Sequence, residues 1–140
     1  RQDWTTPESV FDPLQREFHF TLDAAADSVN AKAAQFFTEQ DDGLSQSWRQ
    51  HCVWINPPYG NGAAPIRAWV DKAYRESLTG ATCVLLLPAR TNTNWFHDLC
   101  LAHGEVRFIK GRPKFGDAKH GLPQPLCIVV FRSTGRKEKE

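Results

Sequence analysis

The chain lacks a dominant charge of either sign. Seventeen Lys and Arg face 16 Asp and Glu, a formal net charge of +1, so the global balance neither demands nor excludes a polyanionic partner and only local charge speaks to that. It also lacks any apolar run of membrane-spanning length, and its opening RQDWTTPESV has no signal-peptide shape. Its four cysteines, Cys52, Cys83, Cys100 and Cys127, form no C-x-x-C pair and are unevenly spaced. That argues against a zinc site or a disulfide framework and for buried, reduced thiols in a cytosolic protein. The five histidines are scattered and read as surface or capping residues, so no metal is expected. No repeat and no Pro-, Gly- or Ser-rich linker precedes the polar end STGRKEKE, and the expected organisation is one domain over 1–132 with a polar tail over 133–140. Position 1 is not methionine, so a short stretch is expected to be missing ahead of it. Glycine is absent before Gly43, a gap that bears on the cofactor below.

What is present is an ordinary globular composition, 41% apolar and 24% charged, outside the range of disordered chains. TTPESVFDPLQREF predicts a helix opened by a Thr cap with Pro7 just inside. FHFTLD predicts a strand, AAADSVNAKAAQFF a helix or turns, and HCVWI a strand. PIRAWVDKAYRESL sets Ile66, Trp69, Val70 and Ala73 at helical spacing. TCVLLLP is a continuous apolar strand of the kind buried on both faces. TNWFHDLCLA predicts a short helix, and EVRFI and PLCIVVF predict two strands. The alternation predicts an α/β domain with a mostly parallel sheet and helices on both faces. Ligands of such sheets bind at the carboxyl ends of the strands, where Asp23, Asn56 and Pro88 fall.

The segment CVWINPPYG ends an apolar strand in two prolines. Pro57 and Pro58 hold their own φ near −65° and supply no N–H, so the turn offers acceptors, the Asn56 side-chain oxygen and the Pro57 carbonyl, beside the flat face of Tyr59. Two acceptors and a stacking surface suit a planar group bearing an NH₂. An amine conjugated to a ring is a poor nucleophile because its lone pair is delocalised. Acceptors that draw on its hydrogens favour a more tetrahedral nitrogen, which attacks an electrophilic methyl held in line. The competing reading is a double-proline turn whose tyrosine covers the core edge.

NPPY in this setting resembles motif IV of the amino-methyltransferases that use S-adenosylmethionine. Together with WTTPESVFDPLQREFHFTLDAAA, DGL, VLLLPARTNTNWFH, EVRFIKGRPKF and PLCIVVF, it resembles the short Dam-like DNA N6-adenine methyltransferases of phages and prophages, from Trp4 to Phe131. The resemblance implies an abbreviated Rossmann-like methyltransferase core, S-adenosylmethionine as donor, adenine in DNA as acceptor, and the cytoplasm of a bacterial host as compartment. It implies catalytic roles for Asn56, Pro57, Pro58 and Tyr59, with Tyr59 stacking on a flipped base. Methylation of an RNA base or a glutamine amide, or a nucleic-acid-binding relative without catalysis, remain the alternatives.

On the cofactor side, the expected residues are Trp4, Thr5, Thr6 and Pro7 as a closing segment, Asp23 with the small Ala24 and Ala25, Asp42, and Asn56. Asp23 reads equally as a helix N-cap, Asp42 as part of an Asp-Gly turn and Thr5–Thr6 as a helix cap. The acidic residue followed by G-x-G that the wider methyltransferase pattern calls for is missing. On the DNA side, RFIKGRPKFGDAKHG is rich in cations: Arg107, Lys110, Arg112, Lys114 and Lys119. Lys110, Arg112 and Lys114 are expected on phosphates, and Arg90, Asn92 and Asn94 on DNA after the TCVLLLP strand. A solvated loop and a helix-capping cluster are the plain alternatives. Oligomeric state does not follow from the sequence.

Overall fold

The structure, a computed structural model, describes residues 6–60, 62–111, 113 and 124–134. The chain runs α1 (Glu8–Phe18), β1 (Leu22–Asp23), β2 (Gln35–Phe36), β3 (Cys52–Ile55), α2 (Ile66–Ser77), β4 (Thr82–Pro88), a π-helical segment (Phe96–Leu101), β5 (Glu105–Phe108) and β6 (Leu126–Phe131). The sheet order is β2-β1-β3-β4-β6-β5. β2, β1, β3 and β4 pair in parallel, and β6 runs antiparallel between β4 and β5. Five strands therefore point one way, and the mostly parallel α/β sheet of the sequence reading is what the chain forms.

Strand alternation sorts the core into two layers. Val53, Ile55, Cys83, Leu85, Leu87, Cys127, Val129 and Phe131 pack with Trp69, Val70 and Ala73 of α2 and with Phe96 and Cys100 of the π-helical segment. Trp54, Val84, Leu86, Leu126, Ile128 and Val130 pack with Phe11 and Leu14 of α1. Helices thus cover both faces. This is why β3, β4 and β6 read as unbroken apolar runs: each successive side chain meets a different helix layer. The four thiols are free, with Cys83, Cys100 and Cys127 buried. Among the described residues no helix is long and apolar enough to cross a membrane.

Four local expectations change. Pro7 occupies the N-cap itself (φ −68°, ψ 151°), with no side-chain cap bond, and its carbonyl accepts from Val10 and Phe11; Thr6 does not cap α1. FHFTLD forms a ladder only at Leu22–Asp23, because the residues before it are used in ending α1: His19 takes a left-handed conformation and Gln15 Oε1 accepts the Phe20 N–H. The segment after Asp23 is a run of turns leading to the short strand β2, so Asp23 caps no helix. The last strand runs against its neighbours, a direction that its apolar pattern does not encode.

Candidate active site

β2 follows β1 on one side and the chain then crosses to place β3 on the other. The carboxyl ends of β1 and β3 therefore flank a topological switch point, the standard ligand crevice of open α/β sheets. Asp23 is in register with Trp54, and the Ala24 N–H donates to the Trp54 carbonyl at 3.1 Å. The expected cofactor residue Asp23 and the expected catalytic residue Asn56 thus leave adjacent strands at the same end.

Asn56 is half-buried, Pro57 buried, Pro58 exposed and Tyr59 half-buried. Asn56 Nδ2 donates to Thr6 Oγ1 at 3.2 Å, and Thr6 is only 3% exposed. A cleft of about 230 Å³ opens beside the turn between Pro58–Gly60, Ala63–Ile66 and Arg90. Burial pushes the Tyr59 hydroxyl up to about 12, with the Arg90 charge opposing, so the phenol stays protonated at physiological pH. Its available role is a surface, and no proton transfer falls to it.

Across the switch point the Asp23 carboxylate is almost fully buried, 3% exposed. Its Oδ1 accepts the Ala25 N–H at 3.3 Å and its Oδ2 the Lys32 N–H at 2.9 Å. Burial raises its pKa to about 6, against the two N–H bonds and the Lys32 charge, which lower it. Lys32 Nζ in turn donates to the Thr6 carbonyl at 3.4 Å and lies 5.0 Å over the Phe11 ring. A bonded chain, Asp23–Lys32–Thr6–Asn56, therefore spans the crevice. No motif points to Lys32, and its part depends on neighbours that only the fold brings together.

Asp42 takes a left-handed conformation (φ 58°) between two 3₁₀ turns, and its side chain is exposed. Gly43 after it is obligatory: a Cβ there would lie 2.1 Å from the Ala24 carbonyl oxygen. The Gly43 carbonyl accepts Trp48 Nε1–H at 2.9 Å. Trp48 is held by Glu76 Oε1 on its N–H at 2.8 Å, and Glu76 Oε2 pairs with Lys72 at 2.8 Å. Gly43 and Trp48 thus dock the Asp42 turn against β1 and α2. Asp23, Ala24, Ala25 and Asp42 are gathered at the carboxyl end of β1, with Thr6 and Pro7 approaching from the β3 side; Trp4 and Thr5 lie outside the described residues.

S-adenosylmethionine is a cation that carries a sulfonium, a ribose diol and an adenine. The crevice offers it a buried acid, an exposed acid on the neighbouring turn and small alanines whose backbone a ligand approaches closely. This donor set fits the group. Asp23 and Asp42 would meet positive charge and hydroxyls, and Thr6 and Pro7 would wall one side.

The residues expected on DNA divide. Arg90 lines the Tyr59 cleft and is exposed, as are Asn92, Asn94 and Lys110. The capping alternative belongs to Thr93, whose Oγ1 accepts the Phe96 N–H at 3.3 Å. Lys110 follows β5, at the same sheet end as Asn56, about 10 Å beyond β4 by the usual strand spacing. Arg107 is not available for phosphate: it grips Glu17 with both terminal nitrogens at 2.7 and 2.8 Å and Glu105 at 2.6 Å. Arg112, Lys114 and Lys119 lie outside the described residues.

Fold and site together define an α/β domain with an Asn-Pro-Pro-Tyr turn at its switch point. The DNA N-6-adenine-methyltransferase (Dam) family model matches residues 1–132, and the chain belongs to that family. It is 32% identical over 137 residues to the DNA N-6-adenine-methyltransferase of Haemophilus phage HP1, covering 91% of this chain and 77% of that protein. Among solved structures, that of Thermoplasma acidophilum 1320 superposes with a TM-score of 0.43 at 16% identity, over 80% of this chain and 60% of that one.

Proposed function

We propose that this chain transfers a methyl group from S-adenosylmethionine to the exocyclic N6 amine of adenine in DNA. The observation that carries the reading is the Asn56–Tyr59 turn at the switch point, tied through Thr6 and Lys32 to the buried acid of the neighbouring strand. The donor supplies an electrophilic methyl group when it is bound. Asn56 Oδ1 and the Pro57 carbonyl accept the two hydrogens of the amine and localise its lone pair on nitrogen. The rigid prolines keep both acceptors fixed while charge develops, so little reorganisation is needed at the transition state. Tyr59, held un-ionised, stacks on the extruded base and offsets part of the few kcal/mol that flipping costs. No group with a lowered pKa is needed to start the attack, since the proton leaves after the N–C bond has formed.

Arg90 at the cleft mouth and Lys110 beyond β5 take phosphates, with Arg112 and Lys114, while Asn92 and Asn94 face base edges. The compartment that goes with this reading is the cytoplasm of a bacterial host. Labelled-methyl transfer into DNA, RNA and protein pools, followed by nucleoside analysis, tests it. The expected product is N6-methyladenine in DNA, with Asn56→Ala slower by about 100-fold or more, as for loss of one transition-state hydrogen-bond partner. Label in RNA or in glutamine, or a fully active Asn56→Ala, overturns it.

A further inference from the structure

A carboxamide can hold an amine for attack in only one of its two orientations. With Oδ1 toward the substrate it accepts a hydrogen; flipped, its own NH₂ meets the substrate NH₂, donor against donor. A hydroxyl at one edge of the amide serves either orientation, accepting from an NH₂ or donating to an oxygen, so what such a partner fixes is the plane and place of the amide. In this protein Asn56 Nδ2 is engaged by Thr6 Oγ1 at 3.2 Å, which turns Oδ1 to the opposite edge of the amide. Thr6 precedes α1 rather than capping it, and its side chain is buried at the crevice instead. Lys32 pins the backbone of that residue: its ammonium donates to the Thr6 carbonyl at 3.4 Å while lying over the Phe11 ring. The Lys32 N–H is bonded to the Asp23 carboxylate, which anchors the clamp on the neighbouring strand.

We propose that Thr6 is a positioning residue that fixes the plane and place of the Asn56 amide beside the substrate amine, and that Lys32 holds Thr6 in place to do so. This rests on the function proposed above and adds to it. The segment before α1, expected only as a wall for the methyl donor, then acts on the acceptor side of the reaction as well. A hydroxyl is required at position 6, whereas the β-methyl of threonine is not.

The test compares wild type, Thr6→Val, Thr6→Ser, Lys32→Met and Asn56→Ala in steady-state methylation of DNA, with donor affinity measured separately by calorimetry. Thr6→Val preserves shape and removes the hydroxyl. It is expected to lower kcat about tenfold, the scale of one hydrogen bond, with KM for DNA and the donor Kd unchanged. Thr6→Ser restores the wild-type kcat. Lys32→Met is expected to lower kcat in the same direction, without an added effect in the Thr6→Val background, since both act through one amide. A wild-type kcat in Thr6→Val overturns the proposal, as does an equal loss in the Ser and Val variants or an effect confined to donor Kd. An inactive wild type or a fully active Asn56→Ala would instead remove the methyl-transfer reading, which separates the two failures.

Discussion

Replacing Asp23 with asparagine removes a carboxyl that folding buries almost completely, at 3% exposure. Its pKa rises from an ordinary 3.8 to about 6, because lost hydration outweighs the Ala25 and Lys32 N–H bonds and the Lys32 charge. The folded protein therefore holds this proton more tightly than the unfolded chain does. The contribution of Asp23 to stability is fully present below pH 3.8 and is lost as pH rises through about 6. At about 1.4 kcal/mol for each pH unit between those two values, the loss is about 3 kcal/mol.

Asparagine keeps the shape and one acceptor but turns an NH₂ toward a backbone donor. That is a fixed cost, independent of pH. The informative quantity is the unfolding free energy of Asp23→Asn minus that of wild type, measured by urea titration with tryptophan fluorescence across the acid-to-neutral range. Other titrating groups cancel in this difference. It is expected to rise by about 2–3 kcal/mol from pH 4 to pH 8, most of it below pH 6, and to level off above that. A flat difference would refute the reasoning, and so would a change of opposite sign, which is the signature of a carboxylate stabilised by its hydrogen bonds. If the positively charged methyl donor binds here, its affinity in wild type rises with pH over the same window and that dependence vanishes in Asp23→Asn.

The Lys72–Glu76 pair, with side chains 8% and 14% exposed, carries the loop that presents Asp42. Glu76→Ala leaves the buried Lys72 ammonium without its counter-ion, though still on the Gln46 carbonyl, and frees the Trp48 N–H, so it is expected to cost about 3 kcal/mol in denaturant unfolding, with Lys72→Met in the same chain recovering much of it; a loss under about 1 kcal/mol would mean that the pair behaves as a surface one. Salt titration of DNA binding separates the cations: Arg90→Gln and Lys110→Gln are each expected to reduce the slope of log K against log salt by about 0.9. Arg107→Gln leaves the slope unchanged, because that guanidinium is spent on Glu17 and Glu105; a flattened slope there would place DNA against β5.

The parts of the fold legible in the sequence are those whose burial is complete. β3, β4, β6 and α2 carry periodic or unbroken apolar patterns because each faces a whole layer of side chains. β1 and β2 do not, since two-residue ladders have no period to read. The DNA side shows the converse difficulty. A run of cations reads as a phosphate surface, yet Arg107 is neutralised by Glu17, 90 residues earlier in the chain, and no local window contains both partners. The turn from Asn56 to Tyr59 at the end of β3 was legible for a different reason: the prolines fix the backbone locally, so the shape of the turn is set by four consecutive residues.

The absent glycine loop has its physical counterpart in Asp23. A glycine-rich turn brings a ligand close to a strand end through lack of side chains and free backbone N–H groups. Here the chain after β1 is small as well, Ala24 and Ala25, but its N–H groups are directed inward: Ala25 and Lys32 donate to the buried carboxylate. That carboxylate organises the turns after it, much as an Asx turn would. Gly43 then closes onto the Ala24 carbonyl from the far side, so a glycine that this strand end requires lies in the partner loop rather than in the loop after β1. An acid used in this way is only partly committed to structure, since each oxygen keeps a further acceptor position. Its pKa of about 6 leaves it mostly ionised at neutral pH, a buried negative charge that a cation would relieve. Building the loop therefore leaves Asp23 able to meet positive charge as well, and ionising it in its buried place costs the protein stability at neutral pH.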